Sequence, residues 1–145
     1  MNRSKAYLVC FSIALVCILA PASVFATAVA EHNTFTKWVT TFPAMAGVVG
    51  GAVGDGSYAG EILKMTPGAT TTVIEALYRF NGPTHSFTAL VHVEQTGLKA
   101  VISGVVTEGW MKGSKVKGEY TQITTSQAPG DGTAFQGTIE ILGMR

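Results

Sequence analysis

Three side chains in this chain are of the kind that move protons: Glu61, His85 and Glu108. A carboxylate beside an imidazole raises the proton affinity of the ring and makes a general acid–base pair. A carboxylate alone in an apolar enclosure is held protonated and becomes a candidate in its own right. Which of them share a cavity depends on which face of which strand carries each one. His85 is separated from Arg79 by the punctuation Asn81-Gly82-Pro83-Thr84. Those residue types turn a chain back on itself.

The elements that must position these residues are strands. No stretch of the mature chain has apolar residues at spacings of three and four. Runs rich in Val, Ile, Thr, Phe and Tyr recur between Gly, Pro and Asn instead. Strands are predicted near 34–42, 45–53, 57–66, 70–80, 85–95, 98–110, 114–124 and 134–142. With Gly82-Pro83 as the connection, Phe80 faces His85, Tyr78 faces Phe87, Ala76 faces Ala89 and Ile74 faces Val91. All of these then lie on one face, because side chains alternate with period two. Arg79, Glu75, Ser86 and His92 fall on the other. Arg79 and His85 are therefore not partners. At the Thr96-Gly97 turn Glu94 meets Lys99, and Ala100, Ile102, Gly104 and Val106 join the apolar face. The Met111-Lys112-Gly113 loop, with Gly113 in the left-handed position, sets Val116 opposite Glu108 and Tyr120 opposite Gly104. Phe135, Gly137, Ile139 and Ile141 complete the set. Consecutive hairpins sharing one apolar face make an up-and-down meander, and closure removes its edges. The fold class is all-β, an antiparallel barrel of about eight strands, with a sandwich as the alternative.

On this register His85 and Glu108 face each other at one barrel end, with Trp110 one step beyond. Two readings stand: a proton-transferring pair, or a hydrogen-bonded pair that closes the rim. Glu61 depends on how the Thr66-Pro67-Gly68-Ala69 turn is counted. One count turns it inward opposite Ile74, and the other turns it outward opposite Glu75, where like charges repel. The repulsion favours inward. His92 points away from His85, and with no Cys in the mature chain and no His-x-His pattern no metal site is expected. The glycine-rich run 47–60 is followed by no helix that could aim amides at an anion. Its glycines are read as sites of strand coiling or a bulge. No Gly-x-Ser-x-Gly elbow occurs. No cofactor is expected.

The start of the chain reads as a cleaved signal peptide. Arg3 and Lys5 precede an apolar run from Ala6 to Ala20, followed by Pro21 and small residues. That run is short for a bilayer span of ~20 residues, so no membrane anchor is expected to remain. Cleavage is expected after Ala26, or as late as Ala30, leaving 27–145 as one domain that is secreted or periplasmic. Cys10 and Cys17 leave with the signal, which excludes disulfides and thiol chemistry from the mature chain. Without Arg3 and Lys5, eight basic residues face nine acidic ones. Nucleic acid is an unsuitable partner for such a surface. Val73, Leu77, Leu90, Val101 and Val105 on the outer face point to a homo-oligomer. The segment 124–134 reads either as a flap over one end or as a mobile loop.

Three stretches, "GDGSYAGEIL", "EALYRFNGPTHSF" and "AFQGTIEI", resemble the small barrels of the allene oxide cyclase and dirigent type over roughly 55–142. The resemblance implies an eight-stranded barrel, often trimeric, with an apolar lumen, in a group that guides cyclisation of reactive apolar molecules. The function expected is lumenal binding of a small apolar molecule shaped by Tyr78, Phe80, Phe87, Trp110, Tyr120 and Phe135. An isomerase or cyclase activity would use Glu61, His85 and Glu108. The alternative is a non-catalytic structural or interaction protein acting as an oligomer.

Overall fold

Burial alternates along the strands as the residue types require. In the segment from Ser86 to Thr96, Phe87, Ala89, Val91 and Val93 are buried while Leu90 and Glu94 are exposed. The computed structural model describes residues 27–144. The expected signal segment, 1–26, lies outside the described residues. The strands are β1 (Ala28–Val39), β2 (Ala44–Gly51), β3 (Gly56–Thr66), β4 (Thr71–Asn81), β5 (Ser86–Thr96), β6 (Lys99–Gly109), β7 (Lys115–Thr124) and β8 (Thr133–Met144). Each pairs antiparallel with the next, and β1 also pairs with β8, so the sheet closes into an up-and-down barrel. Closure leaves no edge to template aggregation.

β1 begins six residues before the start expected for it. Ala28, Val29 and Ala30 pair with Met144, Gly143 and Leu142. Cleavage after Ala26 leaves these ladder residues in place, whereas cleavage after Ala30 removes them.

The interior holds the expected apolar set: Ala76, Tyr78, Phe80, Phe87, Val91, Ile102, Val106, Val116, Ile139 and Ile141 are buried. Each large aliphatic side chain among them contributes about 1.5–3 kcal/mol by leaving water. The registers differ from those expected by even steps. Phe80 faces Phe87 rather than His85, and Tyr78 faces Ala89. Glu94 faces Val101, and Val116 faces Gly104. The β4–β5 and β6–β7 connections are longer than expected, whereas the β5–β6 turn keeps two residues and moves one position along, to Gly97-Leu98. Because side-chain direction repeats every two residues, even slips leave every face unchanged.

Two bulges do change faces. On β6, Glu108 pairs with Thr88 and Val106 with Ala89, so Thr107 is the extra residue. A one-residue insertion inverts parity, which turns Glu108 outward, where it is exposed. On β3 the register shifts between Ile62 and Lys64, leaving Leu63 as the extra residue. Ile62 points inward, and beyond the bulge Met65 does so in its turn, opposite Ile74. Lys64, not Glu61, faces Glu75, so the bulge sets opposite charges together.

Candidate functional site

The barrel has two unlike ends. At one, the β2–β3, β4–β5 and β6–β7 connections meet. His85 lies in the β4–β5 turn, and its ring stacks on Trp110 with centroids 3.9 Å apart and planes 6° from parallel. Below them Phe80 stacks on Phe87 at 4.7 Å, and Phe35, Tyr58 and Tyr78 follow in edge-on and stacked contacts. Val53 folds over this end and is fully buried. Its amide donates to Asn33 Oδ1 at 3.0 Å. This end is filled by rings.

The other end is hollow. A cavity of about 260 Å³ is lined by Lys37, Met45, Ile62, Ile74, Tyr78 and Tyr120, with Gln95, Thr72 and Phe135 also in its wall. Val39 and Met65 belong to the lining and are exposed, so they mark its mouth. Tyr120 donates to Gln95 Oε1 at 2.8 Å across the rim.

The chemistry of the cavity centres on Lys37. It is 4 % exposed, and its amine is hydrogen-bonded to the Tyr78 hydroxyl. The nitrogen lies 4.2 Å from the Tyr78 ring centroid and 4.5 Å from that of Tyr120. Aromatic faces attract a cation but do not replace water or a counter-charge. Among the described residues no carboxylate forms an ion pair with it. Burial therefore lowers its pKa from 10.5 to about 7, since a low-dielectric surrounding penalises the charged form. Burial raises the neighbouring phenols: Tyr58 and Tyr78 go well above their ordinary value, and Tyr120 rises to about 12. The Tyr58 hydroxyl is buried beside that of Tyr78. Gly60 leaves the space it occupies, as a Cβ there would stand 2.5 Å from that oxygen.

Comparison with family models, with curated proteins and with solved structures returned no match. The site is therefore read from its own residues.

Glu61, His85 and Glu108 do not converge. Glu61 is exposed on the outer wall between Ala44 and Leu77. The inward expectation for Glu61 is corrected: the connection is longer, and Leu63 absorbs the parity change. Glu108 is also outside, and His85 is held against Trp110 at the filled end. Of the six aromatics expected to shape a ligand site, Tyr78, Tyr120 and Phe135 line the cavity. Phe80, Phe87 and Trp110 are in the filled end, packed in or against the buried core. The 124–134 segment forms a hairpin loop at the hollow end, in which Asp131 Oδ1 accepts the Thr133 amide at 2.9 Å and Ala128 is buried.

Sequence reasoning missed Lys37. The two alternating sets of β1 are Glu31, Asn33, Phe35, Lys37, Val39 and His32, Thr34, Thr36, Trp38. Both mix polar and apolar types, so the strand alone does not choose its inner face. Its partner does: Lys37 pairs with Phe135, Phe35 with Gly137 and Asn33 with Ile139. The clean alternation of β8 was the available signal.

Proposed function

We propose that this protein is an exported lumenal binder of a small apolar molecule, of the allene oxide cyclase-like kind that its sequence resembles. The observation that carries the reading is the contrast between the two ends. One is packed with rings, while the other keeps a cavity with mostly apolar walls and a mouth marked by exposed side chains. Apolar cavities with a few convergent polar groups are the usual form of small-molecule sites. An isomerisation or cyclisation in this cavity would draw on confinement, with Lys37 and Tyr78 as the proton-handling groups in place of Glu61, His85 and Glu108.

The test is equilibrium binding of an uncharged apolar fluorophore to the mature domain. One molecule per chain is expected, with loss of binding when Ile74→Trp fills the cavity. Absence of saturable binding, or binding unaffected by that substitution, would overturn the reading.

A second reading rests on the outer wall. Leu77, Leu90 and Val105 form one row across β4, β5 and β6, and Val101 beside it is 65 % exposed. A structural or interaction protein would bury this band in a homo-oligomer, a trimer if the resemblance extends to assembly. Light scattering tests it, and a strict monomer at high concentration would end it.

A further inference from the structure

We propose that Lys37 is a covalent capture site for a small apolar aldehyde, which it binds as an imine inside the barrel. This rests on the lumenal reading above and names its ligand class.

The geometry carries the argument. The amine stands in the wall of a cavity that opens to solvent, and every side chain around it is apolar or a phenol apart from Gln95 and Thr72. The titratable groups facing it are Tyr78 of β4 and Tyr120 of β7, with Tyr58 of β3 packed against Tyr78 behind them, and burial holds all three phenols in their neutral forms. Without a counter-ion in such a place, a lysine is held partly as the free amine, which is the nucleophilic form. About half of it is neutral at pH 7, against on the order of one part in a thousand for an ordinary lysine. A retained buried amine that pairs with no carboxylate costs stability, and imine formation gives it a use.

The step balances without a further reactant. The amine lone pair attacks the carbonyl carbon, and the carbonyl oxygen takes a proton from the Tyr78 hydroxyl. Tyr78 recovers a proton from the attacking nitrogen. The nitrogen lone pair then expels the hydroxyl, which takes a proton from Tyr78 and leaves as water, and the nitrogen gives its remaining proton back to Tyr78, so that a neutral carbon–nitrogen double bond is left and the water departs through the mouth between Val39 and Met65. The apolar chain of the aldehyde lies against Met45, Ile62 and Ile74.

The experiment uses three six-carbon probes on the mature domain: hexanal with cyanoborohydride, hexan-1-ol and hexanoate. Peptide mass mapping after hexanal treatment at pH 7 is expected to place one hexyl group on Lys37, roughly 10-fold or more faster than on the exposed Lys64, Lys99, Lys112, Lys115 or Lys117. Lys37→Met is expected to abolish the fast adduct. Tyr78→Phe, which keeps the ring, is expected to slow it while hexan-1-ol still binds. Hexan-1-ol or hexanoate bound in the cavity with no preferential adduct at Lys37 would overturn the imine and leave lumenal binding standing. Failure of all three probes to bind would overturn both.

Discussion

The amine of Lys37 on β1 is hydrogen-bonded to the hydroxyl of Tyr78 on β4, 41 residues further along the chain. Neither strand neighbours the other in the sheet. The two side chains meet across the lumen, and that meeting divides the filled part of the barrel from the hollow part. Among the described residues no charged group compensates Lys37 there, so its protonation is tied to folding.

The first consequence is a pH dependence of stability. Lys37 titrates near 10.5 when unfolded and near 7 when folded. Between these values the unfolded chain holds a proton that the folded chain lacks, so stability rises with pH. Below pH 7 both states are protonated and the increment is lost. The full excursion is on the order of 5 kcal/mol as an upper bound. Above about pH 10 the direction reverses, because Tyr58 and Tyr78 ionise in the unfolded chain before they do so in the folded one. Urea unfolding from pH 6 to 11 is expected to show a maximum near pH 10. Lys37→Met is expected to flatten the rising limb, leave the falling limb, and stabilise the protein at pH 7.

Tyr78→Phe removes the hydroxyl bonded to the amine. The protonated form of Lys37 loses an acceptor, so its pKa is expected to fall below 7. The substitution keeps the ring and its packing, and the cost to stability is expected to be about 1 kcal/mol. Titration of a labelled lysine by NMR, alongside denaturant unfolding, checks both. An unchanged pKa would show that the hydroxyl does not bear on the amine.

The filled end and the hollow end are expected to separate by mutation. His85→Ala removes the stack on Trp110 and is expected to cost about 1 kcal/mol while leaving apolar-ligand affinity within twofold of the parent. Glu61→Gln and Glu108→Gln, on the outer wall, are expected to change neither. Ile74→Trp is expected to lower that affinity by at least roughly 10-fold with the barrel still folded. Thermal unfolding and fluorophore titration read the two effects independently.

On the outer wall His92 sits between Glu75 and Glu94, bonded through Nδ1 to Glu75 and through Nε2 to Glu94 at 3.4 Å. The hydrogen bond to Glu75 is the main cause that holds its pKa above the usual histidine value, with Glu94 adding to it. Glu75→Gln is expected to bring it down toward 6.5 in an NMR titration. A pKa that stays raised would assign the effect to Glu94 instead.

Much of the barrel was legible in the chain because its errors came in twos. The expected Gly82-Pro83 and Met111-Lys112-Gly113 turns are too tight and the expected Thr96-Gly97 turn is one residue early, yet Phe87, Ile102 and Tyr120 still fall on the inner face. Period-two geometry is indifferent to even slips. Glu61 and Glu108 were misplaced for the opposite reason. Single extra residues at Leu63 and Thr107 invert parity, and neither carries a mark that distinguishes it from an ordinary strand residue. His85 failed for a third reason: a longer connection took it out of the strand altogether.

The sequence by itself determined the all-β class, the eight elements and the apolar faces of β4 to β8, because hydrophobic alternation is a local property that survives approximate turns. It did not determine the inner face of β1, whose two sets of residues are equally mixed. Only closure of β1 against β8 turned Lys37 inward, and only the barrel's finite bore, filled by rings at one end and left open at the other, set its amine in a cavity beside Tyr78. An amine's proton affinity depends on everything around it in space, and that surrounding is assembled from strands distant in the chain.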